Sequence, residues 1–160
     1  MGSAVIELVC GLVFGIGLVL ALSPWFTPPR TSAPWRPGKR LREDVARARR
    51  ELHLYERAFA MGEDDAEEHL RAALPHLAPG ARLLPPVRVD YGDNITVGEG
   101  TFVNYGLVAL DVARISIGAH CQIGPGVQLL TPVHPLEPTP RRAGLESADP
   151  IVIGDNVWLG

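Results

Sequence analysis

An aliphatic residue returns every six positions through the second half of this 160-residue chain, and that period restricts the fold more than any other feature. Val97-Gly98, Val103-Asn104 and Ala109-Leu110 are spaced by six. After a two-residue slip, Ile117-Gly118, Ile123-Gly124 and Leu129-Leu130 keep the spacing, and Ile153-Gly154 with Leu159-Gly160 resume it. Such a period is the signature of a parallel β-helix with three flat faces. Each hexapeptide makes one short strand and one corner. The aliphatic side chain points into the prism and stacks on its equivalent one coil away. The residue after it takes the corner, where glycine tolerates positive φ. Three hexapeptides close a coil of about eighteen residues, and stacked coils bury one continuous core. The 17 glycines and 15 prolines fall at regular places and not as in a disordered chain.

The chain divides before the repeat begins. Residues 1–29 are apolar, with no charge from Leu8 to Pro29, and the segment "LVCGLVFGIGLVLAL" with its flank is of marginal length for a membrane span. No basic stretch precedes it, so it reads as a candidate membrane helix and not as a cleaved signal. Eight Lys/Arg against Glu43 and Asp44 lie between Arg30 and Arg50, which places the bulk of the chain in the cytoplasm, anchored to the inner face of the membrane. Residues 30–40 form a linker too rich in proline to be helical. Residues 41–80 read as two helices. In the first, Val45, Leu52, Tyr55 and Phe59 share a face; in the second, Asp64 and Glu67 have the spacing of an N-cap and capping box. Residues 81–160 are the β-helix domain. The net charge of −3 gives no nucleic-acid footprint. Two cysteines, Cys10 and Cys121, lie far apart, which fits a reducing compartment. Cys121 reads as a structural thiol.

The repeat stops once, at "LLTPVHPLEPTPRRAGLE" (129–146), a proline-rich loop that displays His134. Corners of a β-helix admit insertions, and loops shown from a rigid scaffold commonly carry function. Flat prisms can trimerise side by side, and a long loop can then reach a neighbouring subunit. There an imidazole can take a proton from a hydroxyl. The alternative is an ordinary surface histidine. His76 and His120 lack ligand spacing with it, so no metal site is expected.

"DYGDNI", "FVNYG", "LDV", "IGPGVQL", "HPLEP…RRAGLE" and "IGDNVWLG" follow one another in an order and spacing similar to the maltose, galactoside and nodulation O-acetyltransferases, a branch of the hexapeptide-repeat acyltransferases. The resemblance covers roughly residues 46–160. It implies a left-handed β-helix, a homotrimer, and acetyl transfer from acetyl-CoA to a hydroxyl of a sugar or related acceptor. His134 matches the general base. Asn104 and Asp90 match positions lining the acceptor pocket, Asp111 would bind an acceptor hydroxyl or steady the histidine, and Glu146 matches a loop residue beside both. Trp158 matches a tryptophan near the acetyl-CoA site. Each also has a plain structural reading: corner residues for Asn104 and Asp111, a cap for Asp90, a pair with Arg141 or Arg142 for Glu146, and interface packing for Trp158. In the family more coils follow the position of Gly160, with most of the acetyl-CoA contacts, so a truncated chain is expected. The rival reading is an inactive hexapeptide-repeat protein serving as a membrane-tethered interaction module.

Overall fold

The computed structural model describes residues 39–160. The expected membrane helix within residues 1–29 lies outside them, and no helix among the described residues is long and apolar enough to cross a membrane. Helix α1 (Lys39–Met61) begins two residues inside the expected linker, because Pro37 is the last residue there that a helix excludes. Its buried face is Ala48, Leu52, Tyr55 and Ala58; Phe59, expected on that face, is exposed and meets Tyr55 edge to face at 5.9 Å. Helix α2 (Ala66–Ala73) packs on α1 through Leu70 and Ala73. Its N-cap is Asp65, without a side-chain cap bond, so the expected Asp64 capping box is not formed. Glu67 pairs with Arg71 at 2.8 Å instead.

Beyond the helices the chain winds around three parallel sheets. It passes through β1 (Arg82–Leu83), β2 (Arg88–Val89), β3 (Ile95–Val97), β4 (Phe102–Val103) and β5 (Val108–Leu110). It continues through β6 (Ile115–Ile117), β7 (Gln122–Ile123) and β8 (Gln128–Leu130). The inserted loop holds β9 (Pro132–Val133), helix α3 (Pro138–Arg142) and β10 (Ser147–Ala148), and the prism resumes with β11 (Ile151–Ile153) and β12 (Trp158–Leu159). The sheets are β1-β4-β7-β12, β2-β5-β8 and β3-β6-β11, so successive strands visit the three faces in rotation. The result is mainly β, a parallel β-helix.

Register explains the six-residue period. Val97 lies under Ile117 and Ile117 under Ile153; Val103 lies under Ile123 and Ile123 under Leu159; Ala109 lies under Leu129. Val97, Val103, Ala109, Ile117, Ile123 and Leu129 are all buried, each valine, isoleucine or leucine contributing roughly 1.5–3 kcal/mol. Two expectations need correction. The coil is twenty residues and not eighteen, as Ile95 pairs with Ile115 and Val108 with Gln128. The extra residues sit at one corner, between the β2-β5-β8 face and the β3-β6-β11 face. The second correction concerns the glycine after each aliphatic residue, which does not supply positive φ. At Gly98 and Gly118 an added Cβ would meet backbone of the next coil at 2.5 and 2.6 Å, so close stacking demands the glycine. Positive φ falls two residues later, at Gly100, Gly126, His120 and Asn156.

The helical region closes the first coil. The Tyr55 hydroxyl donates to the Leu83 carbonyl, and burial pushes its pKa up to about 12, with Glu67 adding to the rise and Arg82 opposing it. Helix α1 also contacts β2, which leads directly into the enlarged corner.

Candidate active site

The enlarged corner repeats on three levels, as 90–94, 111–114 and the loop 131–150. Tyr91, Asp111 and Thr131 stack there, twenty residues apart, and all three are buried. A buried carboxylate needs donors, and Asp111, 0% exposed, has four. Its Oδ1 accepts from the backbone N–H groups of Asp90 (3.0 Å) and Tyr91 (2.8 Å), and its Oδ2 from those of Gly92 (2.8 Å) and Asn94 (3.2 Å). The Asn94 side chain donates back to the Asp111 carbonyl at 2.7 Å. Thr131 repeats the device one level up: its hydroxyl donates to the Leu110 carbonyl at 2.7 Å and accepts from the Ala113 N–H at 3.0 Å.

This corner carries a cleft of about 590 Å³ between α1 and the loop. Asp90, Tyr91, His134 and Glu146 line it, with Arg42, Val45, Ala46 and Arg49 of α1 opposite. The loop brings its two groups together by strand register. In the antiparallel β9–β10 pair, Val133 faces Ser147 and Pro132 faces Ala148. His134 and Glu146 are the next residues beyond the end of that ladder, one on each strand, and both line the cleft. Arg141 of α3, expected as an alternative partner of Glu146, donates instead to the carbonyls of Pro135 and Leu136, both at 2.8 Å. Those bonds fold the loop back on itself beside His134. The Asp90 carboxyl is held above the ordinary carboxylate range, by burial first and then by Asp111 and Glu146, with Arg49 opposing. Burial and the same carboxylates raise Tyr91.

Three of the six residues expected at the site therefore meet in one cleft: His134, Glu146 and Asp90. Asp111 does not line it. Its carboxylate is occupied by four backbone amides and shapes the wall from beneath, so it is not placed to bind an acceptor hydroxyl in this chain. Asn104 lies at the next corner, between β4 and β5, where its Oδ1 accepts from the Tyr105 N–H at 2.8 Å. Trp158 lies on the outer surface of the last coil, 78% exposed. Tyr91 and the arginines of α1 were missed. Tyr91 stands inside the quoted "DYGDN", beside Asp90. Arg42 and Arg49 are seven apart on one helix, but nothing in sequence ties that helix to a loop some ninety residues later. Among the described residues no group of three or more His, Cys, Asp or Glu is arranged to hold a metal. Cys121 is buried, with its Sγ–H directed to the Gly154 carbonyl at 3.0 Å, as a structural thiol.

The fold of this winding prism is shared with solved structures. A hexapeptide-repeat containing acetyltransferase from Vibrio cholerae superposes with a TM-score of 0.71 at 31% identity, over 76% of this chain and 68% of that one. This chain belongs to the hexapeptide-repeat acetyltransferases. The same Vibrio protein has been solved complexed with acetyl coenzyme A, at 30% identity and TM-score 0.71, over 76% of this chain and 65% of that one. A maltose O-acetyltransferase from Clostridium difficile matches with a TM-score of 0.67 at 32% identity, over 76% of this chain and 65% of that one. Nodulation protein L of Rhizobium meliloti is 44% identical over 100 residues, covering 61% of this chain and 55% of that protein. The chain spans about half the length of the curated relatives it matches. No protein-family model matches the sequence.

Proposed function

We propose that the cleft binds a sugar or related polyol and that the chain takes part in moving an acetyl group from acetyl-CoA to one of its hydroxyls. The observation that carries this reading is the meeting of His134 with Glu146 and Asp90 in one cleft, on the fold of an acetyltransferase family. Acetyl-CoA supplies the acetyl group already activated as a thioester. His134 takes the proton of the acceptor hydroxyl as its oxygen attacks the thioester carbonyl; the C–S bond breaks, and the imidazolium returns the proton to the departing CoA thiolate. Glu146, beside the imidazole, orients the ring and stabilises its charge once protonated. Asp90 accepts a hydrogen bond from a neighbouring hydroxyl, and Val45, Ala46 and Leu110 give the ring an apolar floor. Trp158, on β12, is assigned to the donor side of this reading.

The reading includes left-handed winding and a trimer. Asn104 stands one corner away from His134 in the same chain, with the β2-β5-β8 face between them. A pocket using both must therefore be shared between two copies. The exposed Leu136 at the loop tip, 90% accessible, fits a loop that reaches a neighbouring subunit.

The test is acceptor-dependent release of free thiol from acetyl-CoA over a panel of sugars. Wild-type protein should release thiol with at least one sugar, and His134→Ala should lower the rate about 10²–10⁴-fold. No release with any sugar would remove the transferase reading. Activity surviving in His134→Ala would remove the base assignment.

A further inference from the structure

We infer that Arg47, which does not line the cleft, is a positioning residue for the acceptor wall formed by Asp90 and Tyr91. The inference rests on the acceptor reading of that cleft. Arg47 lies on α1, and its side chain is 28% exposed. Nη1 donates to the carbonyls of Ala72 (2.5 Å) and Ala73 (3.3 Å), the last two residues of α2. Nη2 donates to the Tyr91 carbonyl (3.0 Å) and to Asp93 Oδ2 (2.9 Å). One rigid guanidinium thus joins α1, the end of α2 and the 90–94 turn. A helix leaves its last carbonyls without internal donors, and a cation is favoured there.

A second observation shows why the join is needed. The backbone of Gly92, at φ +82°, lies directly on the end of α2, and a Cβ there would stand 2.1 Å from the Ala73 carbonyl oxygen. The same Ala73 carbonyl receives Arg47. Asp111 holds the turn from inside the prism, and Arg47 holds it from outside, so Asp90 and Tyr91 lie on a segment fixed from two sides. Arg47 also shares α1 with Val45, Ala46 and Arg49, which form the opposite wall. It therefore sets the spacing of the two walls. The half-exposed pair with Asp93 adds little; the bonds to backbone carbonyls carry the clamp. Lysine cannot replace it, because a point charge does not reproduce the forked donor geometry.

The experiment compares wild type, Arg47→Met and Arg47→Lys by steady-state thiol release with maltose as the varied acceptor, and by amide hydrogen exchange of the full chain. Arg47→Met should raise the KM for acceptor about tenfold or more while kcat and the KM for acetyl-CoA stay within about twofold. Arg47→Lys should fall between. Exchange at Tyr91, Gly92 and Asn94 should quicken about tenfold or more, with Ile117 and Ile123 unchanged. Unchanged exchange at 91–94, or faster exchange through the whole prism, overturns the inference, as does an unchanged acceptor KM in an active enzyme. If wild type releases no thiol, the transferase reading fails by itself, and the exchange comparison still decides the role of Arg47.

Discussion

Replacing Asp111 by asparagine tests whether one buried charge holds the wall of the cleft. The side chains are isosteric, so the substitution opens no cavity. It does exchange one carboxylate oxygen for an NH2 group. Each oxygen of Asp111 accepts two backbone N–H bonds, at 2.8–3.0 Å on Oδ1 and 2.8–3.2 Å on Oδ2. Whichever way the amide turns, two backbone donors lose their acceptor and face another donor. A buried donor left unsatisfied costs about 1–3 kcal/mol, and bonds to a charged acceptor are the stronger kind. Relief of carboxylate desolvation offsets part of this. The net expectation is a loss of about 2–5 kcal/mol, a large share of the roughly 5–15 kcal/mol that holds a domain together. Urea denaturation followed by circular dichroism should show a lower midpoint with an unchanged slope. A loss below about 0.5 kcal/mol would refute the reasoning, because the four amides would then not depend on the charge.

Two further predictions concern the scaffold. Gly118→Ala should destabilise by about 2 kcal/mol or more, since its Cβ would meet the Gly154 carbonyl carbon at 2.6 Å and the Asp155 nitrogen at 2.7 Å; an unchanged thermal melt would contradict this. Glu51 is held below the ordinary carboxylate range, first by its hydrogen bond with His69 at 2.9 Å. A lowered folded pKa adds stability that is present above the unfolded value of 4.5 and is lost as pH falls through the folded value, so Glu51→Gln should flatten the acid side of a midpoint-against-pH curve; parallel curves would contradict the assignment.

Much of the fold was legible because a β-helix is a one-dimensional repeat. Once Val97, Ile117 and Ile153 are seen as one column, the three faces follow. The two extra residues were visible as the slip between Ala109 and Ile117, and the coil length was misjudged because three plain hexapeptides were counted to each coil without them. The role of glycine was misjudged for a different reason. Sequence shows that Gly98 and Gly118 are needed, and only the stacked coils show that the need is space and not φ. At the site, His134 and Glu146 stand on one inserted loop, and their proximity was within reach of pattern. Asp90 joins them through a corner two coils below. Asp111 looked like a ligand in sequence because buried and reactive carboxylates are spelled alike; its four amide partners exist only in the folded corner. Arg47 gave a weak signal at most, a basic residue beside Ala48 on the buried side of α1, because its partners come from two other segments, the end of α2 and the 90–94 turn.

The most direct test of the account is a crystal structure with a maltose-class sugar bound. The account predicts the sugar in the cleft between α1 and the loop. One hydroxyl oxygen should lie about 2.6–3.2 Å from a ring nitrogen of His134, with Asp90 on a neighbouring hydroxyl and Glu146 beside the imidazole. Sugar bound elsewhere on the prism, or seated in this cleft with His134 turned away, would contradict it.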